Sequence, residues 1–425
     1  MARLSAARNA RNALILTGVG HFSARFFELM LPTLAVALAS QTRMPLDVVL
    51  DWTFLAYLLF GLGALPAALV AERFSPRLLL ITALFGLGVA ALAASEAPNG
   101  RVLSLCLAAM GSCASIFHPA GASLSARTID TQDRAPRGNG VFGNVAVALT
   151  PLITATLCAQ LGWQSAVRAI GYALCVGAVA CGFLRVIERR PVPTGEPDRS
   201  APHGGASLPL AMLVAAAALA AVSYRGGTLL LPSSFAGRVP VIGFGAAISL
   251  AYGFGVAGEY ATRWLAYRYD PRRLYLAFHA ISVPALLLMA TLSGLPLIGG
   301  AALFAFCSFG MQPIENGLLA QYAPPRWGEV AWRATLALTV GVGSLAVWLV
   351  GWAIAAGGLS YALLWLAGIT ALATAAAAWL VYLHEPAVLH GLSGGRRAAG
   401  AGGGGVVFDA GGAAERRPPG QASIP

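Results

Sequence analysis

The sequence predicts an all-α polytopic membrane protein of twelve transmembrane helices, arranged as two parallel six-helix repeats. Three observations predict it. Of 425 residues, 57% are hydrophobic and 11% charged, with mean hydropathy +0.71; a soluble domain carries roughly a quarter charged residues. Apolar runs recur at about the 20 residues a helix needs to cross a bilayer core. Finally, Ser23-x-Arg25-x3-Leu29-x-Leu31-Pro32 returns 200 positions later as Ser223-x-Arg225-x3-Leu229-x-Leu231-Pro232.

Taken in order, the first run, 13–38, has arginines ahead of it but is interrupted by His21, Arg25 and Glu28 and lacks a cleavage-site pattern. It therefore reads as a retained first helix rather than a signal peptide. Further runs at 51–71, 77–95, 101–125, 138–160 and 165–187 complete the first half. The second half reads 208–232, 240–266, 272–292, 296–321, 330–355 and 359–383. The domain reading is thus 1–187 for the first half, 188–207 for a linker, 208–383 for the second half and 384–425 for a tail. The linker is rich in Pro, Gly and charge (Arg189, Arg190, Pro191, Pro193, Gly195, Pro197) and is expected on the cytoplasmic side. The tail is Gly-, Ala- and Arg-rich without apolar periodicity, and is expected to be disordered.

The repetition extends beyond the arginines. Ala71, Arg73, Pro76, Arg77 and Leu79 match Ala266, Arg268, Pro271, Arg272 and Leu274 at offset 195, and Cys113 and Pro119 match Cys307 and Pro313 at offset 194. Matches in chain order with so little drift imply two halves in the same orientation, related by an axis along the membrane normal.

A net charge of +11 in a soluble protein points to nucleic acid; here its placement points elsewhere. All 28 basic residues are arginine, and 22 fall at one set of helix ends. Four (Arg43, Arg101, Arg168, Arg238) fall at the other, and Arg25 and Arg225 lie within spans. By the positive-inside rule both termini are cytoplasmic, and the basic face suits anionic lipid headgroups. Exclusive use of arginine, with abundant Ala and Gly, fits a GC-rich bacterial genome and hence the inner (plasma) membrane. The six cysteines all sit in apolar segments and read as small buried hydrophobes. There is no metal-ligand spacing, phosphate-binding glycine loop or nucleophile–base pattern, so neither a cofactor nor an enzyme is expected.

The charged residues inside the spans carry the chemistry. His21, Arg25, Glu28 and Pro32 follow at i, i+4, i+7 and i+11, one stripe along the first span. An arginine near the middle of a membrane helix costs roughly 2.5–3.5 kcal/mol on insertion scales, so such residues face a bundle interior or a wet cavity. Arg25 and Arg225, at similar depth, have the geometry to fork onto a carboxylate, phosphonate or phosphate. The alternative, that Arg25 and Glu28 pair simply to order their helix, leaves Arg225 unexplained. In the tenth span Gln312, Glu315 and Asn316 form a second polar face around Pro313, where the freed backbone carbonyl is tolerated if it lines a cavity. Glu315 is a candidate proton carrier alongside Glu28, or else a neutral hydrogen-bonding group between helices. His118, aligned with Gln312 by the repeat, either binds substrate or shuttles protons, or else packs; Asn144 is a candidate polar partner; His279 and Glu259 read as structural.

Two parallel six-helix halves joined by a linker look like the major facilitator superfamily. The loop Ala68-Leu69-Val70-Ala71-Glu72-Arg73-Phe74-Ser75-Pro76-Arg77 resembles that family's G-x-L-A-D-R-x-G-R-R/K loop. Its copy, Arg263 to Arg272, has Tyr267 in place of the acid. His21-Phe22 and Phe117-His118-Pro119-Ala120 resemble the fosmidomycin-resistance-type efflux branch. The resemblance implies a secondary active transporter that works by alternating access and exports a small organic anion or amphoteric compound with proton coupling. Uptake, facilitated permeation or a non-transporting sensor are the alternatives. It also implies that Glu72, Arg73 and Arg77, with Arg268 and Arg272 in the copy, form cytoplasmic gates. Glu72 would face the N-terminus of the eleventh span, whose partial positive charge attracts a carboxylate. The run Leu107–Gly111 lacks the arginine that the family usually carries in the fourth span, and Gly138–Asn144 with Thr150-Pro151 gives only part of the antiporter signature.

Overall fold

The computed structural model describes residues 2–128, 139–189, 208–239, 243–323 and 328–382, with two short segments at 407–408 and 414–415. The regular structure in these residues is helical except for those two segments, a two-residue antiparallel pairing. Apart from them, the expected tail, like most of the linker, lies outside the described residues.

The helices are α1 (Ala2–Thr42), α2 (Leu46–Asp51), α3 (Phe54–Leu62), α4 (Ala64–Arg73), α5 (Pro76–Ser95), α6 (Gly100–Ala114) and α7 (Phe117–Thr128). They continue as α8 (Asn139–Leu161), α9 (Trp163–Gly182), α10 (Leu208–Phe235), α11 (Phe244–Leu265), α12 (Pro271–Thr291), α13 (Gly294–Tyr322) and α14 (Gly328–Tyr382). Among the described residues nine helices are long and apolar enough to cross a membrane, and the bent run α2–α4 makes ten. The 22-residue α11 is long enough as well. A break in α14 at Gly358, where φ is 78°, separates the last two of twelve spans.

Three departures from simple apolar runs have local causes. α1 begins about three turns before the expected 13, because Ala2–Asn12 is rich in Ala and Arg, strong helix formers. The second span bends by 41° between Leu62 and Ala64, and the fourth breaks at Ser115 and Ile116 between α6 and α7. The two breaks adjoin: a Cβ on Gly63 would lie 2.6 Å from the Ser115 hydroxyl oxygen. Ser115 meanwhile donates to the Ser112 carbonyl at 2.7 Å.

Packing follows the repeat. α1 packs on α8 as α10 packs on α14, α5 on α9 as α12 on α14, and α3 on α6 as α11 on α13. The third pairing brings backbones into direct contact: a Cβ on Gly111 would come within 2.1 Å of the Ala56 carbonyl, and one on Gly258 within 2.1 Å of that of Phe306. Small residues permit such approach where lipid gives helices no hydrophobic drive to associate. The two repeats meet where α8 touches α11, α14 touches α2 and α3, and α1 touches α10. Leu152 N–H donates to Ser249 at 3.0 Å, and a Cβ on Gly351 would lie 3.3 Å from Asp51. Both contacts fall toward the end where α1 finishes. Large apolar side chains such as Leu105, Val176 and Trp348 point outward, as in a surface matched to lipid.

Candidate functional site

α1 and α10 each carry a proline inside the helix, Pro32 and Pro232. About two turns before each lies its arginine, and here the repeats exchange charge. Glu28 accepts from both: Arg25 Nη1 reaches Oε2 at 3.0 Å, and Arg225 Nη2 reaches Oε1 at 2.9 Å. Arg25 Nη2 also approaches Gln312 Oε1 on α13 at 3.4 Å. A chain of polar contacts therefore runs from α13 through α1 to α10.

The aromatic residues around it hold the arrangement. Tyr57 on α3 donates to the Glu28 backbone carbonyl at 2.8 Å, while its ring lies under the Arg225 guanidinium at 4.2 Å. That stacking supports a desolvated cation. Tyr224 stands edge-on to Phe309 at 5.3 Å, its ring 5.9 Å from the same guanidinium. Glu28 and Arg225 are 4% and 3% exposed, so their contact is enclosed by protein, while the Arg25 side chain remains 21% exposed. Among the described residues, Arg225 Nε and Nη1 are buried without a hydrogen-bond partner. Two guanidiniums against one carboxylate leave the site positive, which suits an anion.

Half-buried polar groups flank the charges. The break before α7 sets His118 edge-on to His21, ring centroids 5.5 Å apart. A Cβ on Gly143 of α8 would lie 2.6 Å from the His21 ring, so glycine there admits the imidazole. The next residue, Asn144, has its Nδ2 buried without a partner among the described residues. Asn316 is half-buried on α13.

The single polar face expected on the tenth span divides in two. Gln312 turns to Arg25 on α1, but Glu315 turns to α12 and accepts from Tyr275 Oη at 3.1 Å. Three residues advance a helix by about 300°, so the two side chains diverge by about 60°. The His279 ring is edge-on to Tyr275 at 4.5 Å and fully buried, with neither nitrogen hydrogen-bonded among the described residues. Tyr57, Tyr224 and Tyr275 belong to no motif in the sequence, and only the packing brings them to the charged groups.

Toward the N-terminal end, Arg77 and Arg272 are each occupied by groups of their own repeat. Arg77 donates through Nε to the Leu184 carbonyl at 2.9 Å and through Nη2 to that of Gly182 at 2.7 Å, capping α9. Glu188, a linker residue with no sequence signal of its own, accepts from the Arg77 N–H at 3.0 Å and from Ser75 Oγ at 2.7 Å. Arg127 donates to the carbonyls of Ala71 and Glu72. In the copy, Arg272 grips Asp270 through two nitrogens, and Arg268 lies over Trp264 at 4.2 Å. Arg73 and the Glu72 side chain are exposed. The expected partner of Glu72, at the start of α14, has side chains outside the described residues.

Helices in two pseudo-equivalent sets, apolar outside and enclosing opposed charges where the sets meet, define a membrane transporter rather than an enzyme. The Major Facilitator Superfamily model matches residues 14–330, and the chain belongs to that superfamily. No curated protein matches it. Among solved structures, a bacterial homologue of the human lysosomal transporter Spinster, inward-facing and occupied, aligns with TM-score 0.70 at 14% identity, over 87% of this chain and 96% of that one. The nucleoside transporter NupG, as a point mutant, aligns with TM-score 0.68 at 13% identity, over 87% and 99%. A POT family transporter in complex with 5-aminolevulinic acid gives 0.69 at 11%, over 89% and 96%.

Proposed function

We propose that this secondary transporter carries a small organic anion, bound between Arg25 and Arg225, and that its transport is coupled to protons. The observation that carries the reading is the excess of guanidinium over carboxylate in a buried site to which both repeats contribute. His21, His118, Asn144, Gln312 and Asn316 complete the binding surface, and Glu315 carries the proton. Residues 1–187 and 208–383 rock about this site. With both termini on the cytoplasmic side of a bacterial inner membrane, the contacts Leu152–Ser249 and Asp51–Gly351 close the external end.

Export is the first reading, from the branch-like motifs at His21-Phe22 and Phe117–Ala120. Uptake is the second, favoured by the grip of both arginines on Glu28: an anion that frees this acid to take a proton binds together with that proton. The test uses proteoliposomes containing a pH dye, with candidate organic anions supplied on either side. Anion-dependent proton movement supports coupled transport, and its sign gives the direction. Ligand binding without flux would mark a sensor on the same scaffold.

A further inference from the structure

We propose that Glu28 is a built-in ligand of the anion site: it occupies the place of the transported anion, which enters by displacing it from Arg25 and Arg225. The inference rests on the anion reading given above. Each carboxylate oxygen of Glu28 is taken by a different guanidinium, at 3.0 and 2.9 Å. That is how two arginines share one oxyanion ligand. The backbone of α1 is secured separately, through Tyr57 and the Glu28 carbonyl, so the carboxylate can leave without unseating the helix. Glu28 engages one of the three nitrogens of Arg225, and Nε and Nη1 have no hydrogen-bond partner among the described residues. An oxyanion brought from outside, with more acceptor oxygens, has donors still to claim.

Displacement has a consequence for charge. A carboxylate stripped of both guanidiniums in this buried setting is neutralised by a proton rather than kept ionised. The loaded site then holds a monoanion and one proton together, with the net charge it had when empty. This proton on Glu28 is additional to the one that Glu315 carries, and it favours the uptake reading. By linkage, each ligand favours the other to the same degree. The ionisable groups around Glu28 are Arg25 on α1, Tyr57 on α3, His118 on α7, Tyr224 and Arg225 on α10 and Tyr252 on α11. Of these His118, with His21 beside it, is the side-chain type that exchanges protons near neutrality in water, so the histidines need their own control.

The test is calorimetry on the purified full chain with inorganic phosphate, methylphosphonate and acetate as probes. An internal competitor lowers apparent affinity by the fraction of sites it leaves open, so Glu28→Gln is expected to bind at least one probe about ten-fold more tightly than the parent. In weak buffer near neutral pH, acetate, a monoanion both free and bound, is bound with uptake of one proton by the parent and of none by Glu28→Gln. His21→Gln and His118→Gln, as members of the binding surface, weaken anion binding but still take up one proton for each anion bound. Equal affinity in parent and Glu28→Gln, or proton uptake that follows the histidines, overturns the displacement while leaving the anion site standing. Absence of binding by either protein to every probe overturns the anion site itself, and the displacement with it. Should Glu28→Gln not fold, Glu28→Asp reaches the guanidiniums less well and is expected to tighten binding too; failure to do so counts against the proposal.

Discussion

Arg225 donates to Glu28 at 2.9 Å across the line where the two repeats meet. The repeat that copied the arginine did not copy the acid: the position matching Glu28 at offset 200 is Thr228, whose hydroxyl donates to the Arg225 carbonyl at 2.9 Å. The pseudo-symmetric pair of cations thus shares a single anion from one side. The imbalance gives the site its positive character and makes Arg225, the more buried cation, the residue on which it turns.

Arg225→Ala is accordingly expected to abolish anion binding. It also leaves Glu28 with Arg25 alone, and breaking a buried pair from one side costs about 3–5 kcal/mol, so the melting temperature falls while the protein still elutes as a folded species. Arg225→Lys restores part of the binding, because a point charge lacks the fork and the flat face that stacks on Tyr57. Calorimetry beside size-exclusion chromatography checks both. Normal transport by the alanine variant would refute the shared site.

Much of this is legible from residue order alone. Apolar runs of membrane length and two parallel copies of one motif locate the spans, and the cost of a charge in lipid singles out Arg25, Glu28 and Arg225. Other features are hidden for physical reasons. Tyr57, Tyr224 and Tyr275 read as apolar bulk, because a phenol contributes more ring than hydroxyl. The breaks at Gly63 and Ser115 lie inside unbroken apolar runs and become visible only where the two helices pack. Arg77 reads as a gate, but its carbonyl partners lie more than 100 residues away, beyond any local pattern. The divergence of Glu315 from Gln312 follows from helical rotation together with the position of α12, and residue order supplies only the first.

Glu188 is expected to matter for stability rather than selectivity. It completes the N-cap of α5, where Ser75 accepts from the Leu78 N–H and donates its own hydroxyl hydrogen to the Glu188 carboxylate. Glu188→Ala should cost about 1 kcal/mol, the usual worth of a cap. Glu188→Gln, which still offers an oxygen acceptor, should cost less. Thermal denaturation in detergent orders the three proteins; a changed ligand preference in the alanine variant would point instead to a gating role.

The contact between α11 and α13 leaves no room at Gly258, where a Cβ meets the rigid backbone of Phe306 at 2.1 Å. Gly258→Val should therefore reduce the yield of folded protein sharply. Gly253, on the same helix, faces open space: a Cβ there would meet nothing within 4 Å. Gly253→Ala should be neutral or stabilising by up to about 1 kcal/mol, the helix-propensity difference. Fluorescence size-exclusion profiles compare the two, and equal profiles would contradict the packing at Gly258.

Coupling through Glu315 gives the sharpest separation between transport readings. The carboxylate lies on the second repeat's own α12–α13 contact, partnered by the Tyr275 hydroxyl and turned away from the arginines that hold Glu28. A group so placed can gain or lose a proton without directly competing for the anion site. Glu315→Gln should then retain anion binding and downhill exchange but lose accumulation driven by a pH gradient. Tyr275→Phe removes the donor to the acid and should shift the pH dependence of driven transport without abolishing it. Reconstituted vesicles with an imposed gradient provide the measurement. If Glu315→Gln still concentrates substrate while Glu28→Gln does not, the proton is carried by the acid between the arginines, and co-binding favours uptake over export. If both variants remain fully driven, neither acid couples transport to protons, and a facilitative permease is the better account of the same site.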